Sequence, residues 1–446
     1  MSEPVRPAPH RTAAILSIGD ELTLGQTLDT NSKWIADRLF ARGVRVVEHA
    51  TVEDDLVRIT AAIERLAGEN DLLVCTGGLG PTLDDLTRDS LARVLGEPLE
   101  EDAAAMAAVA AWFEGRGGMP ESNRVQALRP ASARFLENPN GTAPGLAAWC
   151  ERLGADIFCL PGPPHEMTPM LDSFVLPAVR RADGRVTHAR IILTFGVGES
   201  RIAERLGALM DRDRESRGLP VVGTTASRGV VACRLRCDAA SDAEARVALD
   251  EVEAEIGGRL GPAVFDHRDL AAGDSGDVTD ALPRALVDLL RERGERLAVV
   301  ESCTGGLLGG EITKVAGSSD VFVGGWQTYS NEMKAAMVGV PAELIAREGA
   351  VSAACALAMA QGGLERCEAD HVMAITGVAG PGGGSGDKPV GTVYMARASR
   401  DGSDEVRRFL FRGGREAVRA WSLRMAIGVL RLHLIDAEMR LLGEMA

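Results

Sequence analysis

The chain has 446 residues, too many for one hydrophobic core, so two or three domains are expected. Hydrophobic residues make up 46% and charged residues 25%, the balance of a globular protein and not of a disordered or fibrous one. The formal net charge of −15 excludes a global attraction for nucleic acid or anionic membrane, so an anionic ligand would have to be held locally, by backbone amides, placed arginines or a metal.

Residues 1–12 carry Pro, Arg and His without an apolar core and read as a disordered tail, not a signal peptide. From there to about 180, short apolar runs alternate with helical spacing. Strands are expected at 13–18, 44–50, 71–76 and 156–160. Helices are expected at 31–42 (with Asn31 as cap), 54–67, 86–95, 103–113 and 167–179. Such alternation builds a parallel sheet between layers of helices.

Three glycine-marked loops fall where these strands end: SIGDELTLGQTLDTN at 17–31, TGGLGPTLDD at 76–85 and LPGPPHEM at 160–167. In a parallel sheet all three converge on the edge where ligands bind. Gly77, Gly78 and Gly80 let amides approach a phosphate, while Asp20, Glu21, Asp84 and Asp85 bring carboxylates to the same place. Carboxylates beside phosphate-binding amides repel the ligand unless a divalent cation bridges them. The acids could also serve simply as helix caps, Asp84 before Leu86 for example.

A smaller α+β module is expected over 181–261, with strands at 190–195, 220–225 and 230–237 and helices at 199–210 and 243–256. It shows no catalytic constellation. Residues 262–277 lose hydrophobic period, gain Gly, Asp and Ser, and read as a linker. The eight cysteines are scattered and suggest neither a disulfide framework nor a zinc site, even at the closest pair, Cys233 and Cys237. No apolar run reaches membrane-spanning length, and a reducing cytoplasm is expected.

The last unit, 278–446, opens with a helix at 278–293 and a strand at 296–300 that runs into VESCTGGLL at 300–308. Ser302, Cys303 and Thr304 are presented at this strand-to-helix turn, and Gly305 and Gly306 free backbone N–H groups for an oxyanion or phosphate. Helices are expected at 331–338, 341–347, 352–363 and 416–442, and strands at 370–376, 390–398 and 404–411. TYSNEMK at 328–334 places Asn331 as a cap and Lys334 in the first helical turn, where the helix dipole disfavours its ammonium form. A neutral lysine is a competent base for a serine hydroxyl. Hydroxyl, lysine and free amides are the parts of a Ser–Lys amidase, provided that Ser302 and Lys334 meet in one pocket. From the residues alone Ser302 could equally cap a helix, and Cys303 and Thr304 stay open as nucleophiles. Thr376 ends a strand beside a glycine-rich loop, and Arg412 and Arg415 flank a Gly pair where a guanidinium could grip a phosphate.

The loop strings of the first unit, together with PNGTAPG at 139–145, resemble the molybdopterin-binding-like domain that begins the CinA (competence/damage-inducible) family. VESCTGG, AGSSDVFVGG, TYSNEMK, GAVS and TGVAGPGGG…KPVGTVY look like that family's C-terminal domain, the nicotinamide-nucleotide amidase (PncC-type) family. The resemblance implies an α/β multidomain chain: a three-layer parallel-sheet domain, a small KH-like module and an α/β amidase domain. It implies conversion of nicotinamide mononucleotide to nicotinate mononucleotide and ammonia, with Ser302 as nucleophile, Lys334 as base, Tyr329 and Thr376 lining the site and Arg415 holding substrate. No cofactor is expected for this half. For the first unit it implies a metal-dependent ADP-ribose pyrophosphatase, with Asp20, Asp84 and Asp85 near Mg²⁺, Mn²⁺ or Co²⁺ and Gly77, Gly78, Gly80 and Gly141 near the nucleotide. A homodimer is the default expectation. Rival readings are a DNA-uptake or damage-response binding protein, disfavoured by the acidic balance, and a molybdopterin-handling enzyme.

Overall fold

A computed structural model describes residues 9–115, 117–180, 186–270 and 278–445. Seventeen strands are described. In chain order they are β1 (Thr12–Ile18), β2 (Arg45–Val52), β3 (Leu72–Thr76), β4 (Leu99–Glu101), β5 (Leu128–Pro130), β6 (Arg134–Leu136), β7 (Gly145–Cys150), β8 (Ala155–Leu160), β9 (Val186–Phe195), β10 (Val221–Ser227), β11 (Val230–Ala239), β12 (Val264–Leu270), β13 (Leu297–Glu301), β14 (Phe322–Gln327), β15 (His371–Gly377), β16 (Thr392–Ser399) and β17 (Glu405–Leu410).

The first unit carries a six-stranded sheet of order β2-β1-β3-β8-β7-β6. Its first four strands run parallel, as the βα alternation dictates, and β7 and β6 close one edge antiparallel. β1, β3 and β8 are buried on both faces, which explains their continuous apolar reading. Helices cover both faces. Ile59, Ile63 and Leu66 pack on one side and Ile35, Leu39, Met167 and Met170 on the other. The short β4–β7 escaped sequence reading because three-residue strands and an Ala-rich strand carry little period-2 signal.

The chain segments into two compact units, with the break inside the middle module: Arg190–Arg236 and Val247–Asp269 group with the C-terminal residues. The middle sheet has the order β10-β11-β9-β12. The linker expected at 262–277 is thus corrected over its first half. Residues 264–270 form β12, and Arg431 of the last helix donates to the carbonyls of Pro262 and Val264. Residues 271–277 lie outside the described residues. The tail reading is corrected likewise at its end. His10 is buried and bonds Asp156 at 2.9 Å, while residues 1–8 lie outside the described residues.

The C-terminal sheet has the order β14-β13-β15-β16-β17, parallel across the first three strands and antiparallel beyond. β14 was not expected, because Gly324 and Gly325 interrupt its apolar pattern. The last helix is Arg415–Leu434, shorter than the expected 416–442. Asp436 takes a positive φ of 50° and the chain turns back, placing Leu441 against Gly196. Among the described residues no helix is long and apolar enough to cross a membrane.

Candidate active site

Two loop clusters carry the residues singled out above, one at the carboxyl edge of each parallel sheet. In the C-terminal unit, β13 ends at Glu301 and the chain makes a tight turn through Ser302–Gly306 into the helix Leu307–Thr313. Gly306 has φ 93°, and a Cβ there would sit 2.5 Å from Gln327 Nε2, so the turn requires glycine. Ser302 is 7% exposed, and its amide donates to Ile375 O at 3.0 Å, which pins the nucleophile candidate to β15.

Lys334 arrives from the helix Asn331–Val338. That helix is capped by Ser330, whose hydroxyl accepts from the Met333 amide, and not by Asn331 as expected. The side chain is 1% exposed and reaches back so that Nζ lies 3.1 Å from Ser302 Oγ. The same nitrogen donates to Thr328 O at 2.8 Å and Tyr329 O at 3.4 Å. A neutral amine has two N–H groups and one lone pair. Two carbonyls satisfy the former, and the lone pair is left for the Ser302 hydroxyl. Burial holds the Lys334 pKa below its ordinary value, against weaker opposing contributions from Cys355, Cys303 and Glu332. Among the described residues no carboxylate forms an ion pair with Lys334.

Cys303 is buried and its thiol is pushed up to about 11 by that burial. It is therefore a thiol at neutral pH and a poor nucleophile. Thr304 is also fully buried, its hydroxyl lacks a partner among the described residues, and Arg419 donates to its carbonyl at 2.8 Å. For the carboxamide hydrolysis expected from the sequence, Cys303→Ala should retain most activity, within about threefold of wild type in a steady-state assay; a dead variant would transfer the nucleophile to the thiol.

The expectation that Gly305 and Gly306 offer free amides is corrected. Gly305 N donates to Ser302 O, and Gly306 N donates to the Glu301 carboxylate. The Thr304 amide is left without an acceptor among the described residues. Tyr329 and Arg415 do meet: Arg415 donates to the Tyr329 hydroxyl at 3.0 Å and to Gly380 O at 2.9 Å, on the exposed rim. Thr376 lies next to the strand partner of Glu301, but its hydroxyl is spent on Ala350 O at 2.8 Å. The residues that sequence reading missed are Glu301, Thr328 and Arg419. The first two lie inside VESCTGGLL and TYSNEMK, and their backbone partners leave no trace in composition.

In the first unit a cleft of about 390 Å³ opens between the three glycine loops, lined by Gly77, Gly78, Gly80 and Thr142 with the carboxylates of Glu21, Asp54, Asp84, Asp85 and Glu166. Gly77 has φ 100°, and a Cβ there would lie 2.2 Å from Ile18 O, so the close crossing of two loops excludes any other residue. Gly141 lies against the Glu166 carboxylate and lines a neighbouring cleft of about 720 Å³. The three-aspartate ligand set is not assembled. Asp85 accepts from Gly80 N at 2.7 Å and Thr82 N at 2.8 Å, while Asp20 and Asp54 are paired, each carboxylate accepting from the other's amide, and Asp20 does not line the cleft. Among the described residues no three His, Cys, Asp or Glu side chains are arranged to hold a metal ion. Asp20, Asp84 and Asp85 therefore do not fit the expected role as a preformed metal site. Burial and the like charges of Asp20, Glu21 and Asp84 push the Asp54 carboxyl up, against a hydrogen bond from the Asp20 amide that holds it down, so like charges crowd this cleft.

Comparison with known proteins divides the chain in the same way. Residues 279–434 match the family described as "CinA C-terminal domain", residues 14–181 "Probable molybdopterin binding domain" and residues 189–265 "Damage-inducible protein CinA KH domain". A CinA-like protein of Synechococcus sp. (strain RCC307) is 39% identical over 96% of this chain and 99% of its own length. A CinA-like protein of Citrifermentans bemidjiense is 42% identical over 95% and 98%.

Proposed function

The chain belongs to the CinA family, and from that premise and the geometry above we propose that its C-terminal unit is a Ser–Lys amidase that converts nicotinamide mononucleotide to nicotinate mononucleotide and ammonia. The observation that carries this reading is the 3.1 Å contact between a buried lysine without a carboxylate partner and a serine hydroxyl on a glycine turn. Ser302 Oγ attacks the carboxamide carbon as its proton passes to Lys334 Nζ. The tetrahedral oxyanion falls to the amides of the same turn that are not already bonded to Ser302 O or Glu301, those of Cys303 and Thr304. Lys334, now ammonium, gives its proton to the departing nitrogen, and ammonia leaves. Water then attacks the acyl ester with Lys334 again as base, and Ser302 is regenerated. Tyr329 and Arg415, joined on the rim, suit the ribose-phosphate end of the substrate.

Incubation of the purified chain with nicotinamide mononucleotide should release one ammonia per nicotinate mononucleotide formed. Absence of turnover at millimolar substrate would remove this reading.

The pH profile has a definite sign. Below the Lys334 pKa the ammonium cannot accept the Ser302 proton, so kcat/KM falls about tenfold per pH unit towards acid. Because burial depresses that pKa, the limb's midpoint should lie below the usual lysine value of about 10.4. A rate still climbing at the ordinary lysine pKa would contradict a buried neutral base.

For the first unit we infer a phosphate-bearing nucleotide ligand, on the observation that Gly77, Gly78 and Gly80 line one cleft at the strand ends. ADP-ribose supplied with and without a divalent cation tests hydrolysis there, and no binding of ADP-ribose in either condition would refute it.

A further inference from the structure

The Glu301 side chain is 2% exposed and forms no ion pair among the described residues, yet it is the most heavily bonded group near the dyad. Its carboxylate accepts from the amides of Gly306 at 3.0 Å, Leu308 at 3.1 Å and Gly309 at 2.9 Å. Its main-chain oxygen accepts from Thr328 N at 2.7 Å, and Thr328 O accepts from Lys334 Nζ at 2.8 Å. One residue thus clamps the turn that follows the nucleophile and, through β14, the carbonyl that aims the base.

The chemistry of the clamp is exacting. The first N–H groups of a helix have no internal acceptor, and a carboxylate out of water needs several donors. Each need meets the other here, in charge-assisted bonds stronger than neutral ones. A glutamine of the same shape offers one acceptor oxygen and turns an NH₂ donor towards an N–H. The turn must then move, and Ser302 moves with it.

We propose that Glu301 is a positioning residue for the Ser302–Lys334 dyad, holding the nucleophile turn in its reactive geometry through three backbone amides. The proposal rests on the amidase reading for its substrate but not for its test. Two measurements are made on the full chain with Glu301→Gln, and with Glu301→Asp in case the first fails to fold. One is steady-state hydrolysis of nicotinamide mononucleotide. The other is the rate at which a fluorophosphonate labels Ser302, the serine oxygen displacing fluoride, read by intact mass.

E301Q should lose about tenfold or more in kcat with KM within about twofold, consistent with the sensitivity of catalysis to sub-ångström displacement. Labelling should slow in parallel. The whole pH profile should drop without moving its midpoint, and E301D should fall between wild type and E301Q. Folded E301Q with wild-type kcat and labelling rate would overturn the proposal. So would a profile whose midpoint shifts while its plateau stands, since that marks an effect of charge on Lys334 and not of position. If wild type labels at Ser302 but leaves the nucleotide intact, the substrate reading fails and the labelling comparison still decides the role of Glu301.

Discussion

Lys334→Met should lower the rate of ammonia release by about 10³-fold, within the range that a positioned general base supplies. The substitution suits the site. Methionine keeps an unbranched chain in a position that is 1% exposed and introduces no unpaired charge. It removes the donor to Thr328 O and Tyr329 O, at a cost of about 1–2 kcal/mol in stability. Circular dichroism and a thermal melt should therefore show a folded protein, melting a few degrees lower, while ammonia release is lost. Lys334→Arg should not rescue, since a guanidinium stays protonated and cannot take the Ser302 proton. Activity retained in the methionine variant would place the base elsewhere.

Ser302→Ala should cost at least as much, about 10⁴-fold or more in kcat, as expected when a covalent nucleophile is deleted. The backbone bond from residue 302 to Ile375 O survives, and the carboxylate clamp on the following amides is untouched, so the turn should stand. The informative readout is chemical. With hydroxylamine present, wild type should divert part of its acyl-enzyme to the hydroxamate, and the alanine variant should form none. Hydroxamate from the alanine variant would mean that another group carries the acyl chain, with Cys303 and Thr304 the neighbours to examine. Together the two variants separate a missing nucleophile from a missing base. The methionine variant keeps a serine that strong acylating reagents can still modify slowly, and the alanine variant does not.

Structure departs from local sequence pattern where distant pairing specifies an element. β14 was missed because Gly324 and Gly325 erase the alternation of a strand that is specified by its pairing with β13. Residues 264–270 read as linker because an edge strand with exposed alternate positions looks polar, and its place was set by β9 alongside. Cap positions failed locally. Asn31 donates to Gly162 O across the fold, and Asp29 accepts from the Ser32 amide instead. The carboxylates of the first unit were placed correctly at one sheet edge, but their direction was not readable. Asp85 turns inward onto its own loop.

The sequence alone determined what local chemistry can determine. Strand–helix alternation set a parallel sheet, glycines at strand ends set tight turns at its carboxyl edge, and a hydroxyl and an amine fell in two such loops. It could not determine whether those groups touch, because residues 302 and 334 are joined only by the side-by-side pairing of β13 with β14 and by a lysine chain long enough to reach back. Tertiary structure decided that contact, the burial that lowers the amine's pKa, and the capture of the turn's amides by Glu301. All three depend on excluding water, and exclusion of water belongs to the packed molecule and not to any stretch of chain.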